Sequence, residues 1–294
     1  MPVALVTGLG GFTGRYLAPL LEAQGYRVVG IEALAQGCPY ELRVCDLLDR
    51  RGMQTIVDEI NPTVVVHLAA ISFVAHGDAD AIYRTNVVGT RNLLEVLAGC
   101  GKPPRSVLLA SSANIYGNTR VDPITEASPP EPANDYAVSK LAMEYVARLY
   151  TDRLPITVVR PFNYTGVGQS PNFLLPKIVD HFRRGEPVIE LGNLDVARDF
   201  SDVRTLADVY VKLLEQAPAG EVFNVCSGQA HTLQEVLALA GKIAGYAMEV
   251  RVNPAFVRAN EVKVLRGSPA KIQTQLGSFK AYPLEETLRW MLAA

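Results

Sequence analysis

The sequence predicts an α/β fold, with a doubly wound parallel sheet and a smaller α/β domain. Two features of the 294-residue chain support this. Over the first half, short runs that are hydrophobic almost throughout alternate with amphipathic stretches of helical length, as expected for parallel strands covered on both faces. A glycine-rich turn also follows the first hydrophobic run and opens the first helical stretch. This alternation is typical of βαβ units.

The elements of the sheet can be assigned in chain order. The candidate strands of the first half are VALVT (3–7), RVVGI (27–31), TVVVHLA (63–69), RSVLLAS (105–111) and ITVVRP (156–161). Helical patterns lie between them, the clearest over residues 12–24 and 86–98. The second half contains more proline and indicates the smaller domain. Within it, EVFNVCSG (221–228) nevertheless has the pattern of another buried strand.

Composition excludes several classes of protein. The chain is 49% hydrophobic and 20% charged, with a net charge of −2 and no basic run, so nucleic acid is not expected as a partner. The first apolar stretch breaks at glycine after five residues and no later run could span a membrane, so neither a signal peptide nor a membrane helix is expected. Four cysteines without a CxxC pair favour a cytoplasmic protein, and four widely spaced histidines argue against a metal site.

The turn after the first strand, TGLGGFTG, places Gly8, Gly11 and Gly14 at three-residue spacing around Phe12 and Thr13. Glycine permits a tight turn and lets backbone amides approach a pyrophosphate at the N-terminus of the following helix. The alternative is an ordinary tight turn, because glycines are common. Since the motif follows the first strand and opens a helix, we interpret it as a dinucleotide-binding loop.

Glu32 ends the second strand, about 20 residues beyond the glycines. A carboxylate at this point can accept hydrogen bonds from an adenosine ribose, and it would repel a 2′-phosphate. Because no arginine closely follows Glu32, the sequence favours NAD(H), with NADP(H) as the alternative. Asp46 comes after the next short strand and is a candidate contact for the adenine. Either residue could instead be a solvated surface carboxylate.

Ser112, Tyr136 and Lys140 are the candidate catalytic residues. Ser112 lies in SSANIYG (111–117), directly after a buried strand, where open α/β sheets keep their chemistry. Tyr136 and Lys140 are four residues apart in a helical stretch, so both side chains lie on one face. An ammonium and an oxidised nicotinamide both favour a phenolate, which lets a tyrosine exchange protons near neutrality. YxxxK alone can arise by chance, but here it begins a helix 24 residues after Ser112.

These motifs resemble those of the extended short-chain dehydrogenase/reductases, nearly end to end. The segments that carry the resemblance are TGLGGFTG, HLAA (67–70), NVVGT (86–90), SSANIYG, YAVSK (136–140) and RPFNYTGVGQ (160–169). The resemblance implies a Rossmann-like NAD(P)-binding domain, over residues 1–163 plus 204–227, and a nucleotide-sugar-binding domain over 164–203 plus 228–294. It implies that Ser112 orients the substrate carbonyl, Tyr136 donates a proton, and Lys140 tunes Tyr136 and holds the nicotinamide ribose. The further cofactor contacts that it implies are Leu47, Leu68, Ala69, Ala70, Asn86 and Pro161.

Segments of the second half narrow the resemblance to one group of this family. LGNLDVARDFSDV (191–203), FNVCSG (223–228), VRANEV (257–262) and RGSPAKIQTQLG (266–277) look like GDP-mannose dehydratases and GDP-4-keto-6-deoxy-D-mannose reductases, with the reductases the closer match. The substrate contacts that this implies are Ser112 on the substrate oxygen, Asn163 and Lys177 beside the nucleotide, Arg198 and Arg258 on the diphosphate, and Glu261 on a ribose. Arginine suits a diphosphate because its planar fork makes paired, charge-assisted bonds. The alternative for each is a surface salt bridge.

The residues after Ser112 discriminate between reactions. Related 4,6-dehydratases carry acidic residues directly after this Ser/Thr, whereas Ala113 and Asn114 can neither take nor give a proton. GDP-fucose synthase-like enzymes have a cysteine and a histidine where this chain has Asn114 and Gly168. The resemblance therefore implies NAD(P)H-dependent reduction of the C4 ketone of a nucleoside-diphosphate 4-keto-6-deoxyhexose. The expected reaction converts GDP-4-keto-6-deoxy-D-mannose to GDP-D-rhamnose or GDP-6-deoxy-D-talose.

Other functions stay open. A nucleotide-sugar 4-epimerase uses the same Ser/Tyr/Lys set but retains its NAD, and a ketoreductase could act on a UDP or dTDP sugar. A non-catalytic dinucleotide sensor is disfavoured because both Tyr136 and Lys140 are present. The resemblance also implies a homodimer through helices near 86–97 and 136–150. Their apolar residues could instead pack within one chain.

Overall fold

The computed structural model describes residues 1–34, 37–72, 77–257 and 262–294. The strands in these ranges are β1 (Val3–Thr7), β2 (Arg27–Glu32), β3 (Glu41–Val44), β4 (Val64–His67), β5 (Ser106–Ala110), β6 (Ile156–Pro161), β7 (Asn163–Thr165), β8 (Val188–Leu191), β9 (Ala197–Asp202), β10 (Val222–Val225), β11 (Ala230–Thr232), β12 (Glu249–Val252) and β13 (Val264–Leu265). The predicted strands of the first half are confirmed, with ends that differ by up to two residues.

The helices of the same ranges are α1 (Phe12–Ala23), α2 (Arg50–Ile60), α3 (Ala79–Tyr83), α4 (Thr90–Gly99), α5 (Asp135–Arg148), α6 (Leu174–Arg183), α7 (Val203–Gln216), α8 (Leu233–Ala244), α9 (Ala270–Leu276) and α10 (Leu284–Ala293). A π-helical turn, Arg84–Gly89, joins α3 to α4, so the helix predicted over 86–98 begins with a wider turn than expected. Such π-turns are often found at functional sites. Among the described residues, no helix combines the length and the apolar character needed to cross a membrane.

The main sheet has seven strands in the order β10-β6-β5-β4-β1-β2-β3. Strands β1 to β6 pair in parallel with their neighbours. The order reverses at β1, which lies between β2 and β4, and this reversal is the switch point where ligands bind in open α/β sheets. The predicted doubly wound, Rossmann-like sheet is therefore confirmed.

Contacts between residues divide the chain into two compact units. Unit 1 comprises Met1–Gly117, Pro130–Pro161 and Ala207–Phe223, and unit 2 comprises Asn118–Pro129, Phe162–Leu206 and Asn224–Ala294. The sequence instead predicts that residues 118–129 belong to the larger domain. These domain boundaries remain a prediction. Unit 1 has its core between the strands and helices α2, α4 and α5, around residues such as Leu5, Val65, Leu93 and Val107.

Unit 2 contains two small sheets of its own. One has the order β11-β9-β13, with β7 also pairing with β9, and the other pairs β12 with β8. Helices α6, α8 and α10 pack together over a second hydrophobic core that includes Ile178, Phe182, Val236 and Leu288. Strand β9 is therefore the central strand of the larger of these two sheets. It carries Arg198, which the sequence predicts to bind substrate.

Candidate active site

In unit 1 the predicted site residues follow the carboxyl ends of neighbouring parallel strands. Gly8 follows β1, Glu32 ends β2, Asp46 and Leu47 follow β3, Leu68 to Ala70 follow β4, Ser112 follows β5, and Pro161 ends β6. Parallel strands present these ends at one edge of the sheet, so residues spread over 150 positions come from one edge. The sheet thus places these residues at one edge, whereas Asn86 lies on the π-helical turn and Tyr136 and Lys140 lie on α5.

The glycine loop is packed too closely for side chains at two positions. Gly8 has a φ of +74°, and a Cβ there would lie 2.8 Å from the backbone nitrogen of Ala69. A Cβ on Gly14 would lie 2.6 Å from the Cα and carbonyl carbon of Leu9, inside any normal contact distance. Both glycines are therefore required by the backbone. This tight turn brings the start of α1 directly behind β1.

The N-terminus of α1 and Glu32 fit a dinucleotide. Gly11 is the N-cap of α1 and makes no side-chain capping bond, so the positive end of this 12-residue helix carries no anionic cap. Glu32 Oε1 accepts a hydrogen bond of 2.6 Å from the backbone nitrogen of Gly10, which holds the carboxylate at the loop. In this arrangement the loop could bind a pyrophosphate and the carboxylate could bind ribose hydroxyls.

Ser112 begins a short 3₁₀ turn, Ala113–Tyr116, and is buried. Its Oγ accepts a hydrogen bond of 3.1 Å from the backbone nitrogen of Asn114. That bond uses a lone pair of the hydroxyl and leaves its hydrogen for a carbonyl oxygen of a bound substrate. Ala113, next to Ser112, is fully buried, and Asn114 is half-buried.

Tyr136 and Lys140 lie in the first two turns of α5, and both are buried. The helix starts here because the side chain of Asn134 accepts a hydrogen bond of 2.9 Å from the nitrogen of Ala137. Lys140 Nζ donates to the carbonyl oxygen of Ala110 at 2.7 Å, which ties the lysine to the end of β5. Burial lowers the pKa of Lys140 to about 8, while Glu144 opposes this shift. Lys140 can therefore gain or lose a proton near physiological pH.

His67 links the glycine loop to the catalytic helix through a chain of buried hydrogen bonds. Its Nδ1 lies 2.6 Å from Thr7 Oγ1, and its Nε2 lies 2.8 Å from Thr90 Oγ1. Thr90 donates its own hydrogen to the carbonyl of Asn86, so it must accept from His67 Nε2–H. Nδ1 is then the acceptor of the Thr7 hydroxyl. Burial, followed by the charge of Lys140, lowers the pKa of His67 to about 3, so the ring is neutral.

The chain continues from Asn86 to α5. Asn86 Nδ2 donates to Ser139 Oγ at 3.0 Å, and Ser139 donates to the carbonyl oxygen of Tyr136 at 2.7 Å. The same amide of Asn86 pairs with both backbone groups of Ile71. Asn86, which the sequence predicts as a cofactor contact, therefore also holds the backbone beneath Tyr136. His67 stands in the HLAA motif, but its part in this chain of hydrogen bonds is not predicted from the sequence.

A second buried network surrounds Glu144. Its carboxylate accepts hydrogen bonds from Ser111 Oγ at 2.5 Å and from two nitrogens of Arg160 at 2.9 and 2.7 Å. Arg160 Nη1 also donates to Tyr116 Oη at 2.7 Å. Although burial lowers the pKa of Arg160, the bonds to Glu144 raise it on balance. None of these residues has a role predicted from the sequence, although an arginine in the otherwise hydrophobic strand ITVVRP indicates a buried counter-charge.

In unit 2 the structure describes three of the predicted substrate residues. Asn163 begins β7, and its buried Nδ2 has no hydrogen-bond partner in the described part of the chain. Lys177, on α6, donates to the carbonyl of Glu190 at 2.7 Å and lies 4.5 Å from the ring centre of Phe256. Arg198 donates from Nη1 to the carbonyls of Ala197 and Lys263 at 3.0 and 3.3 Å. Arg258 and Glu261 lie outside the described residues.

Asp199, the neighbour of Arg198, fixes the strand that carries it. Its buried carboxylate accepts hydrogen bonds from the nitrogen and hydroxyl of Ser227 at 2.8 and 2.6 Å, and from the nitrogen of Gly228 at 2.9 Å. Burial raises the pKa of Asp199, and these hydrogen bonds oppose the shift. The carboxylate therefore fastens the loop after β10 to β9. Arg198 is predicted from the sequence as a site residue, whereas the structural role of Asp199 is not.

The family model described as GDP-mannose 4,6 dehydratase matches residues 5–291 of the chain. The chain is 35% identical over 275 residues to a GDP-6-deoxy-D-talose 4-dehydrogenase of Aggregatibacter actinomycetemcomitans, which covers 93% of this chain and 91% of that relative. It is 34% identical over 299 residues to a GDP-6-deoxy-D-mannose reductase of Pseudomonas aeruginosa, covering 98% and 95% respectively.

Solved structures agree in fold over the whole chain. A crystal structure of a protein from Burkholderia cenocepacia J2315, which carries a provisional epimerase designation, has 53% identity and a TM-score of 0.94, with 99% of this chain and 97% of that chain covered. The structure of RMD from Pseudomonas aeruginosa, complexed with NADPH, has 31% identity and a TM-score of 0.86, with 100% and 98% covered.

Proposed function

This chain belongs to the GDP-mannose 4,6-dehydratase family of extended short-chain dehydrogenase/reductases, and we propose that within the family it is a C4 ketoreductase. The proposed substrate is a nucleoside-diphosphate 4-keto-6-deoxyhexose, in the first place GDP-4-keto-6-deoxy-D-mannose. The product would be GDP-D-rhamnose or GDP-6-deoxy-D-talose. The names of the two curated relatives, a GDP-6-deoxy-D-talose 4-dehydrogenase and a GDP-6-deoxy-D-mannose reductase, support this choice.

The observation that carries the proposal is the absence of an acid–base pair beside Ser112. Dehydration across C5 and C6 needs one group to remove the C5 proton and another to protonate the leaving hydroxyl. The residues next to Ser112 are a buried alanine, Ala113, and an amide, Asn114, neither of which titrates. The buried carboxylate of Glu144 is held by Arg160 and Ser111, so it is not available for this work. The three predicted catalytic residues Ser112, Tyr136 and Lys140 offer a hydroxyl, a phenol and an ammonium.

Each of these three groups has a role in ketone reduction. A bound nicotinamide would supply the hydride that adds to C4. The Ser112 hydroxyl donates to the carbonyl oxygen and orients it. Tyr136 gives its phenolic proton to the developing alkoxide, and Lys140 makes this transfer easier because an ammonium stabilises the phenolate that forms.

Cofactor choice follows from Glu32. The carboxylate stands at the glycine loop through its bond to Gly10, where it would bind free ribose hydroxyls and repel a 2′-phosphate. We therefore propose NADH as the preferred cofactor. NADPH is the alternative, and one structural neighbour contains it.

The substrate would be held by groups of unit 2. Arg198 is proposed to bind the diphosphate, because a planar guanidinium can make paired, charge-assisted bonds. Asn163 has a buried amide nitrogen whose partner a ligand could supply. Lys177 adds a positive charge, and Arg258 and Glu261 keep the roles predicted from the sequence.

The direct test is the reaction itself. Purified protein is given GDP-4-keto-6-deoxy-D-mannose with NADH or NADPH, and in parallel GDP-mannose with NAD. We expect one cofactor oxidised per keto sugar and no change in GDP-mannose. A 4-keto sugar formed from GDP-mannose alone would make the protein a dehydratase. Conversion of one sugar into its C4 epimer without net cofactor oxidation would make it an epimerase.

Two further measurements sharpen the result. Tyr136→Phe should lower kcat by the ~10²–10⁴-fold that general-acid assistance contributes, with cofactor affinity nearly unchanged. A loss of less than about tenfold would mean that another group supplies the proton. Thermal shifts with GDP, UDP and dTDP identify the base, because each ligand stabilises according to its concentration relative to its Kd.

We also propose a homodimer formed through α4 and α5. Large apolar side chains of this region are exposed in the single chain, namely Val88, Val138, Tyr145 and Leu149. Exposed apolar patches mark interaction sites, and we propose that these side chains belong to one. Light scattering at micromolar concentration should give twice the chain mass of 31.9 kDa, and a monomeric mass would exclude the dimer.

A further inference from the structure

A buried network of hydrogen bonds surrounds Glu144. It consists of Ser111, Tyr116, Glu144 and Arg160, and is called here the Glu144 network. The side chains of Glu144 and Arg160 are only 3% and 7% exposed. Two opposite charges this deep would be costly unless every bond were made, and a buried ion pair is weak evidence for stability as such. The burial of this ion pair therefore needs an explanation other than its contribution to stability.

Three of the four members lie within four residues, along the sequence, of a residue proposed for the reaction. Ser111 precedes Ser112, Glu144 follows Lys140 by one helical turn, and Arg160 precedes Pro161. On a helix, residues four apart lie about 5–6 Å from one another between their Cβ atoms. Glu144 is thus the carboxylate closest in the helix to the Lys140 side chain, and both side chains are buried.

We propose that Glu144 is a positioning residue that keeps Lys140 protonated in its buried site, with Arg160 and Ser111 holding the carboxylate in place. This inference rests on the proposed function, since it assumes that the Lys140 ammonium assists Tyr136. Lys140 is buried away from solvent, and its ammonium donates a hydrogen bond to the carbonyl of Ala110. A carbonyl is a dipole without net charge, so the main charge that offsets burial comes from Glu144.

The surroundings of Lys140 decide the sign of the effect. Tyr136 and Glu144 lie four residues before and after Lys140 on α5, whereas Asp135, Tyr145 and Arg148 lie elsewhere on that helix. His67 on β4 interacts electrostatically with Lys140, and Arg160 bonds both Glu144 and Tyr116. His67 is neutral, and Arg160 forms an ion pair with Glu144. Burial lowers the pKa of Lys140 to about 8 and Glu144 opposes that shift. Without Glu144 the lysine would lose its proton at a lower pH.

The consequence for the reaction is a shift of the alkaline limb. A neutral amine no longer stabilises a phenolate, so Tyr136 would become a poorer proton donor once Lys140 is deprotonated. Glu144 would then set the upper pH at which the reductase still works. An opposite charge at ~4–6 Å typically shifts a pKa by 1–3 units. Because the charge of Arg160 stays in place when Glu144 alone is removed, the pKa of Lys140 should fall by at least the lower end of that range.

The test measures Lys140 directly in the protein without substrate. The chain has eight lysines, so lysine labelled with ¹³C at Cε gives a small set of NMR signals, and the Lys140 signal is the one missing from Lys140→Arg. Its titration midpoint is compared in wild type, Glu144→Gln and Glu144→Asp. The matched control is Glu95→Gln, which removes a half-exposed carboxylate of the same unit that pairs with Arg50.

We expect Glu144→Gln to lower the Lys140 midpoint by about one pH unit, a tenfold change in its proton affinity. Glu144→Asp should restore part of the shift, and Glu95→Gln should leave the midpoint unchanged. If Glu144→Gln does not fold, the double variant Glu144→Gln/Arg160→Gln, which leaves no unpaired buried charge, is measured instead. A midpoint that stays within about 0.3 units of wild type in the folded variant overturns the proposal.

Activity supplies the second readout. The alkaline limb of the kcat profile should move to lower pH by the same amount as the NMR midpoint. A midpoint that moves while the limb does not would also overturn the proposal, since Lys140 would not then control the proton transfer. The NMR titration needs no substrate, so failure of the proposed reductase reaction would be recognised separately, as absence of turnover in the wild type.

Discussion

His67 makes the stability of unit 1 sensitive to acid, and its contribution can be calculated. The ring is buried and neutral, and burial lowers its pKa from 6.5 to about 3. In the unfolded chain the ring regains its ordinary pKa of ~6.5. Between these two values the unfolded state therefore binds one more proton than the folded state. Stability from this group is fully present above pH 6.5 and is lost as the pH falls toward 3.

The size of the effect follows from linkage. Each pH unit over which the unfolded state holds one extra proton costs about 1.4 kcal/mol of folding free energy. Going from pH 7.5 to pH 5 crosses about 1.5 such units for His67, which gives ~2 kcal/mol. Every other titrating group contributes equally in wild type and variant, so the comparison isolates this ring.

The perturbation is His67→Gln. Glutamine does not titrate, and its amide can still donate to Thr90 as Nε2–H does in the wild type. The variant should be less stable at pH 7.5, by about 1–3 kcal/mol, because the Thr7 hydroxyl loses its buried acceptor. It should nevertheless lose ~2 kcal/mol less than wild type when the pH is lowered to 5.

Urea titrations followed by circular dichroism at the two pH values give the four free energies. Thr90→Ser is the matched control, since it keeps the hydroxyl that accepts from His67 and should show the pH dependence of the wild type. If wild type and His67→Gln change by the same amount within about 0.5 kcal/mol, His67 is not held neutral and the direction assigned to the hydrogen-bond chain is wrong.

Three further outcomes are expected. Because Glu32 is proposed to bind the ribose, kcat/KM should be higher with NADH than with NADPH, and a ratio in favour of NADPH would contradict the proposal. Arg198→Ala should raise KM for the nucleotide sugar by about tenfold or more and change kcat far less, because it removes binding made equally in the ground and transition states; an unchanged KM would show that Arg198 is only structural. Gly14→Ala should abolish NADH binding, measured by fluorescence, because its Cβ would overlap the backbone of Leu9; a variant that binds NADH normally would show that the loop can relax.

The main sheet could be predicted because its signals are local. The five candidate strands of the first half are hydrophobic runs bounded by polar residues or glycine, and each of them forms a strand. The glycine loop could be predicted for the same reason, since Gly8 and Gly14 occupy positions where a Cβ would strike backbone. The π-helical turn Arg84–Gly89 could not be predicted from periodicity. One extra residue per turn leaves the apolar pattern of the following helix almost unchanged.

Spacing along the sequence identifies predicted catalytic residues but not the residues that hold them in place. Tyr136 and Lys140 could be found because both lie on α5 at a spacing of four. The partners of these residues come from other elements, such as Ala110 on β5 for Lys140, and no spacing along one helix encodes them. His67 reaches Thr7 and Thr90 over 60 and 23 positions of the chain. Such contacts depend on the order of strands in the sheet.

The Glu144–Arg160 pair is an intermediate case that a stricter sequence argument could have found. Arg160 stands in a strand that is otherwise hydrophobic, and a guanidinium covered on both faces requires a buried carboxylate. In a doubly wound sheet that carboxylate must come from the inward face of a covering helix. Glu144 lies on α5, one turn after Lys140 and on the same face, so the spacing that identifies the lysine also identifies its counter-charge. The charge that the strand needs and the charge that the lysine needs are then supplied by one side chain.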